Sequence, residues 1–215
     1  MFKTILFDVD GTIIDTQYVM TRSLQKTLLE EKQLEVPLED LHFILGIPGR
    51  EAIKKFSEND TELETLLTKW NNNILLFSEY ATLFPGIEKV IKDLHAQSIE
   101  LGVVTSKTQE EMKNEFDSFG LTQYFKVQVT ASDTDLHKPN PDPIQKALEE
   151  LGVDKKETVY VGDSLYDMKS AKSCGVSFAV AQWGAVESSA FTDIDFSLAT
   201  PKDVLTLANI KTDMI

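Results

Sequence analysis

Five short runs rich in apolar and β-branched residues recur along the chain: Thr4 to Phe7, Ile99 to Thr105, Phe125 to Val129, Thr158 to Val161 and Ser177 to Val180. Each has the length of a buried strand. Between them lie longer stretches with helical spacing, such as Ile87, Val90, Ile91 and Leu94, or Ile144, Ala147, Leu148 and Leu151. Strands that alternate with helices pair in parallel through right-handed crossovers, so the pattern predicts an α/β fold built on a doubly wound parallel sheet.

The first two strands are separated by about ninety residues, far more than one crossover helix needs. From about Asp15 to Tyr80 the spacing is helical throughout: Leu24, Leu28 and Leu29, then Leu38 to Leu45, Glu51 to Phe56 and Leu63 to Phe77. Short amphipathic helices of this kind form a small bundle. Asp15 and Thr16 supply a helix N-cap at entry, and Pro85-Gly86 breaks the chain at return. The expected division is an α/β core of residues 1–15 and 81–215 with an all-helical insert of residues 16–80. No internal repeat is visible.

Composition narrows this further. With 42% hydrophobic and 26% charged residues in 215, the chain is an ordinary globular protein large enough for a core and an inserted module. The single cysteine, Cys174, rules out an internal disulfide and a multi-cysteine zinc site. It reads as a small buried residue. No segment approaches the roughly 20 apolar residues of a membrane span, and no signal-like stretch opens the chain. A cytoplasmic protein is expected. A formal net charge of -14 disfavours nucleic acid and anionic lipid as partners. An anionic small substrate would therefore need a local cationic site. A monomer is the simplest expectation, with a dimer left open.

Parallel sheets bind ligands at the carboxyl ends of their strands, which directs attention to the residues after each run. Asp8-Val9-Asp10-Gly11-Thr12 follows the first run and sets two carboxylates two positions apart, beside a glycine that permits a bend. The pair suits a nucleophile next to a proton donor, although an Asp-Gly turn between strand and helix would look the same. Thr105, Ser106 and Lys107 end the second run, and Gly162-Asp163-Ser164 with Asp167 follows the fourth. Carboxylates gathered from two strands repel one another unless a cation is present. Oxygen ligands without nearby His or Cys point to magnesium, with Asp163 as a ligand; a helix N-cap is the alternative for Asp163 and a solvated helix residue for Asp167. Thr105 and Ser106 form a usable anion site and can also cap the next helix, the two roles being compatible. Lys138, ahead of Pro139 and Pro141, sits on a stiffened loop and is expected to bind phosphate.

Taken in order, Asp8-Val9-Asp10-Gly11-Thr12, Thr105-Ser106, Lys138-Pro139 and Gly162-Asp163-Ser164 with Asp167 resemble the four motifs of the haloacid dehalogenase superfamily of phosphohydrolases. Within it, Lys107, His137-Lys138-Pro139-Asn140-Pro141 and Gly162-Asp163-Ser164 look most like the phosphoglycolate phosphatase and pyrophosphate-hydrolysing branch. The resemblance implies a Rossmann-like core and makes the helical insert a cap. It also implies that Asp8 attacks phosphorus to form an aspartyl-phosphate, while Asp10 protonates the leaving oxygen and later activates water. Asp is a recognised nucleophile in phosphoryl transfer. Magnesium would be held by Asp8, by the backbone carbonyl of Asp10 and by Asp163, with Thr105, Ser106 and Lys138 on the remaining phosphoryl oxygens. Asp167 would orient a metal-bound water or Lys138. The resemblance departs only at Ile13, Thr16 and Cys174, none of which carries chemistry.

In the insert, Gly46-Ile47-Pro48-Gly49-Arg50-Glu51 reads as a turn that sets Arg50 at the start of a helix. By likeness to cap loops of the family, Arg50 would meet a distal anionic group of the substrate, and its bidentate guanidinium suits a carboxylate or phosphate. Lys107 could do the same from the core. His42, His95, Trp70 and Trp183 read as packing or surface residues, and His137 as support for the Lys138 loop. The expected function is a magnesium-dependent phosphatase acting on a small phosphorylated metabolite. A phosphomutase using the same intermediate is the nearest alternative, and a non-catalytic phosphate-binding protein a more distant one. A dehalogenase is disfavoured because halide needs no proton donor such as Asp10.

Overall fold

A computed structural model describes residues 1–186 and 191–210 and divides into two compact units: residues 1–14 with 83–215, and residues 15–82.

The larger unit is an α/β sandwich. Six strands, β1 (Thr4–Phe7), β4 (Glu100–Val104), β5 (Val127–Val129), β6 (Thr158–Gly162), β7 (Ser177–Ala181) and β8 (Phe196–Leu198), pair in the order β5-β4-β1-β6-β7-β8. Every pairing is parallel. β1 is central, with Phe7 opposite Val103 on one side and Val161 on the other, so its carboxyl end lies level with those of β4 and β6. Strands covered on both faces read as continuous apolar runs, and β1, β4, β6 and β7 are buried along nearly their whole length. Helices α4 (Ile87–Ala96), α6 (Asp142–Leu151) and α7 (Leu165–Cys174) connect the strands, followed at the end by the short α8 (Val204–Leu207). Ile144, Ala147 and Leu148 of α6 and Met168 and Ala171 of α7 pack with Leu6, Tyr160 and Phe178 of the sheet into one cluster. Cys174 is only half-buried at its edge. β8 was not anticipated: Phe196 and Ser197 are exposed, so this edge strand lacks the buried run that marks the others.

The smaller unit is all helical: α1 (Gln17–Lys32), a 3-10 helix over Leu38–Ile44, α2 (Gly49–Lys54) and α3 (Asp60–Phe77). Leu24, Leu28, Leu41, Ile53, Leu66 and Trp70 form its core. Polar groups on the facing sides of α1 and α3 satisfy each other, Trp70 Nε1 donating to Ser23 Oγ at 2.8 Å and Asn73 to Thr27 at 2.9 Å. At the start of α1 the side chain of Thr16 makes no capping bond; Asp15 instead accepts from the Gln17 backbone N–H at 3.1 Å. The chain passes between units through β2 (Ile14–Asp15) and β3 (Thr82–Leu83), a two-stranded ribbon. Among the described residues no helix is long and apolar enough to cross a membrane.

Candidate active site

The carboxyl ends of β1, β4 and β6 bring most of the anticipated residues together. Asp8 follows β1 directly, its N–H donating to Val161 O at 2.9 Å, and is 7% exposed. After it the chain folds tightly: Gly11 donates to Ile14 O, and Thr12, Ile13 and Ile14 all donate to Val9 O. Gly11 has φ 74°, and a β-carbon there would stand 2.1 Å from Asp163 Oδ2. Only glycine at this position allows both the turn and the approach of Asp163. The Thr12 hydroxyl then donates to Asp163 Oδ1 at 3.1 Å.

Asp167 opens α7 in a reciprocal cap with Ser164. Its Oδ2 accepts from the Ser164 hydroxyl at 2.6 Å and backbone N–H at 3.0 Å, while its own N–H donates to Ser164 Oγ at 3.1 Å. Gly162 makes room, since a β-carbon there would lie 2.6 Å from the Asp167 side chain. Ser164, not Asp163, is therefore the N-cap, which leaves Asp163 for other work. The other oxygen of Asp167 accepts from Lys138 Nζ at 2.7 Å and lies 2.9 Å from the Tyr160 hydroxyl. Tyr160 also points at Val104 O, 2.8 Å away, so its single proton is shared between two acceptors, and Lys138 donates to its oxygen at 3.2 Å.

Lys138 thus stands in a fixed socket, 3.0 Å from Asp8 as well. Burial works against its charge, but Asp167 and Asp8 outweigh that and hold its pKa above the usual lysine value. The loop beneath it is pinned through Asn140, whose N–H donates to His137 O and whose carbonyl accepts from Ser170 Oγ at 2.7 Å. His137 contributes its backbone to this loop, and its residue is exposed.

The carboxylates of Asp8, Asp163 and Asp167 lie within 4.8 Å of one another. Burial, with Asp167 and Asp10 adding to it against Lys138, pushes Asp8 up to about 7. Burial followed by Asp167 and Asp8 also drives Asp163 well above the ordinary range. A cluster so short of positive charge fits a divalent cation, and its all-oxygen donors fit magnesium. Both oxygens of Asp167 are already engaged, whereas Asp163 is held by one hydroxyl, so Asp8 and Asp163 are the carboxylates suited to a metal.

Thr105 and Ser106 end β4. The Thr105 N–H is taken by Val129 O, and its hydroxyl accepts from Lys107 N at 3.2 Å; Ser106 is exposed. The following helix is capped by Thr108, not by either of them. Lys107 is buried and its ammonium lies 3.1 Å from Asp10 and 2.5 Å from Glu115. Arg50 belongs to the helical unit, half-exposed on α2 and ion-paired with Glu64 of α3.

Four contributors were not singled out as site residues from sequence. Tyr160 sits mid-strand, where its hydroxyl gave no signal among apolar neighbours. Glu115 looked like one acid among many in a helical stretch. Trp183, read as packing, donates its indole N–H to Thr12 O at 3.0 Å, and at Gly184 a β-carbon would lie 1.7 Å from Gly11 O.

Residues 5–181 match the family model of the haloacid dehalogenase-like hydrolases. The pyrophosphatase PpaX of Halalkalibacterium halodurans is 30% identical over 212 residues, covering 97% of this chain and 98% of its own length. The Bacillus pumilus pyrophosphatase PpaX is 32% identical over 214 residues, 95% of each chain. Among solved structures, a Lactobacillus plantarum protein named as a candidate phosphoglycolate phosphatase superposes with a TM-score of 0.88, at 24% identity, over 96% of this chain and 99% of its own.

Proposed function

The chain belongs to the haloacid dehalogenase-like hydrolases, and we propose that it is a magnesium-dependent phosphatase acting on a small anionic phosphate monoester or on pyrophosphate through an aspartyl-phosphate. The observation that carries this reading is the buried acidic cluster around Asp8, with Lys138 locked 3.0 Å from the carboxylate at the end of the central strand. A nucleophile in that position needs its neighbours to do little more than hold and neutralise a phosphoryl group.

In this reading an oxygen of Asp8 forms a bond to phosphorus as the bond to the leaving oxygen breaks. Asp10 gives that oxygen a proton, and in the second half-reaction takes one from the water that releases phosphate. Asp8, Asp163 and the Asp10 carbonyl would hold magnesium, which supplies charge neutralisation of the phosphoryl oxygens and of the attacking carboxylate. Lys138, fixed by Asp167 and Tyr160, binds a phosphoryl oxygen. Thr105 and Ser106 complete the cradle. The insert serves as a cap, and Arg50 exchanges Glu64 for a distal anion of the substrate.

Pyrophosphate is the first substrate to try, because the relatives that span nearly the whole chain carry that activity in their names. The mutase alternative has no such support. The test is turnover of pyrophosphate and a panel of phosphorylated metabolites with magnesium, comparing wild type, Asp8→Asn and Arg50→Ala. Loss of all turnover in Asp8→Asn and altered selectivity in Arg50→Ala are expected. Full activity of Asp8→Asn would overturn the mechanism, and unchanged selectivity of Arg50→Ala would overturn the role of that arginine.

A further inference from the structure

Lys107 sits beside the site yet spends its ammonium on two carboxylates. Its backbone is fixed on both sides, the N–H on Thr105 Oγ1 at 3.2 Å and the carbonyl accepting from Ala131 at 2.8 Å. Its side chain, 9% exposed, reaches Asp10 Oδ2 at 3.1 Å and Glu115 Oε2 at 2.5 Å. Burial opposes its charge, but Asp10 and Glu115 overcome that and hold its pKa above the usual value.

Glu115 is itself placed with care. A capping box of Thr108 and Glu111 starts α5 (Gln109–Glu111), and the helix then widens into a π turn over Met112–Phe116. Met112 and Phe116 are buried, Phe116 against Phe125, so the turn is anchored on the core at both ends. π turns are rare and often accompany functional sites. Here the turn delivers a carboxylate to a lysine eight positions earlier.

The consequence falls on Asp10. One of its oxygens is tied to Lys107, while the other, Oδ1, is buried and has no hydrogen-bond partner among the described residues. A buried unpaired oxygen is costly and calls for a reason. We infer that Lys107 and Glu115 form a positioning device for the acid-base residue: Glu115 holds Lys107, Lys107 holds Asp10 by Oδ2, and Oδ1 is left without a competing partner for proton exchange with the leaving oxygen and then with water. This rests on the aspartyl-phosphate reading and adds a role that neither residue has in it.

The step at issue is proton delivery: the bond from phosphorus to the leaving oxygen breaks as Asp8 bonds phosphorus, and the leaving oxygen takes the proton from Asp10. A poor alkoxide leaving group needs that proton; 4-nitrophenolate does not. The experiment compares kcat/KM for a primary alkyl phosphate and for 4-nitrophenyl phosphate, with magnesium, in wild type, Lys107→Met, Glu115→Gln and the double variant. Because the readout is a ratio within one protein sample, a partly unfolded variant does not obscure it. Both single variants should lose about 10²-fold on the alkyl ester and under about 3-fold on the aryl ester, and the double variant should be no worse than Lys107→Met. Equal losses on the two esters would place Lys107 on the transferred phosphoryl group and overturn the inference, as would no loss on either. If wild type itself turns over neither ester nor pyrophosphate, the underlying phosphatase reading fails instead.

Discussion

The Lys138 ammonium lies 2.7 Å from Asp167, a fully buried carboxylate whose second oxygen is held by Ser164, so the lysine is aimed by a residue in the first turn of the helix after β6. Asp167 thereby links the geometry of α7 to the charge beside Asp8. Removing the lysine leaves two buried carboxylates without their cation. Lys138→Met should destabilise the protein by about 3–5 kcal/mol at pH 8, with a smaller loss near pH 4, where Asp8, pushed up to about 7 by burial, carries a proton and no charge for the lysine to offset. Chemical denaturation at the two pH values measures the difference.

Asp8 is stabilised as the acid in the folded chain and not in the unfolded one. Its folded pKa, raised to about 7, means that the folded state keeps a proton which the unfolded state loses near pH 4. The resulting stability is complete below pH 4 and is lost as pH rises to 7. Asp8→Asn does not titrate, so with a chelator present it should be more stable than wild type by about 1–4 kcal/mol at pH 8 and show little difference at pH 4. Equal stability at pH 8 would contradict the burial argument.

Asp163 and Asp167 should part company when magnesium is added. If the proposed metal site is right, Asp163→Asn should abolish the rise in melting temperature that magnesium gives wild type, because it removes a carboxylate that the proposal assigns to the metal. Asp167→Asn should keep that rise although it loosens Lys138. Thermal melts with and without magnesium decide between the two.

Gly184 tests the close approach of its backbone to the turn that follows Asp8. A β-carbon there meets Gly11 O at 1.7 Å and Gly11 C at 2.6 Å, and backbone cannot step aside cheaply. Gly184→Ala should cost about 1–3 kcal/mol or more and lower turnover. Trp183→Phe, which removes only the donor to Thr12 O, should cost about 1 kcal/mol. Denaturation midpoints and rates of the pair check both.

The buried strands were readable because a strand covered on both faces must be apolar along its length: β1 appears over Thr4–Phe7 as expected, and β6 and β7 each run one residue further. β8 escaped because two of its three residues face water. Asp8, Asp163 and Lys138 stood out because each follows a strand or sits in a proline-stiffened loop, and these positions meet at one sheet edge. Glu115 could not be found this way, since its placement depends on a π turn that no residue spacing announces. Tyr160 was hidden for a different reason: in a strand its ring satisfies the apolar pattern, and only the fold reveals the hydroxyl between Lys138, Asp167 and Val104. Trp183 and Gly184 lie far in the chain from Thr12 and Gly11, which they respectively meet only through the sheet order.

The most direct test is to trap the covalent intermediate. Quenching turnover of pyrophosphate or a phosphate ester in acid, reducing the acyl phosphate with borohydride and mapping peptides by mass spectrometry should convert Asp8, and no other aspartate, to homoserine. Asp8→Asn should give neither the product nor turnover. Steady turnover with homoserine at another aspartate, or undiminished turnover by Asp8→Asn, would contradict the assignment of Asp8 as the nucleophile.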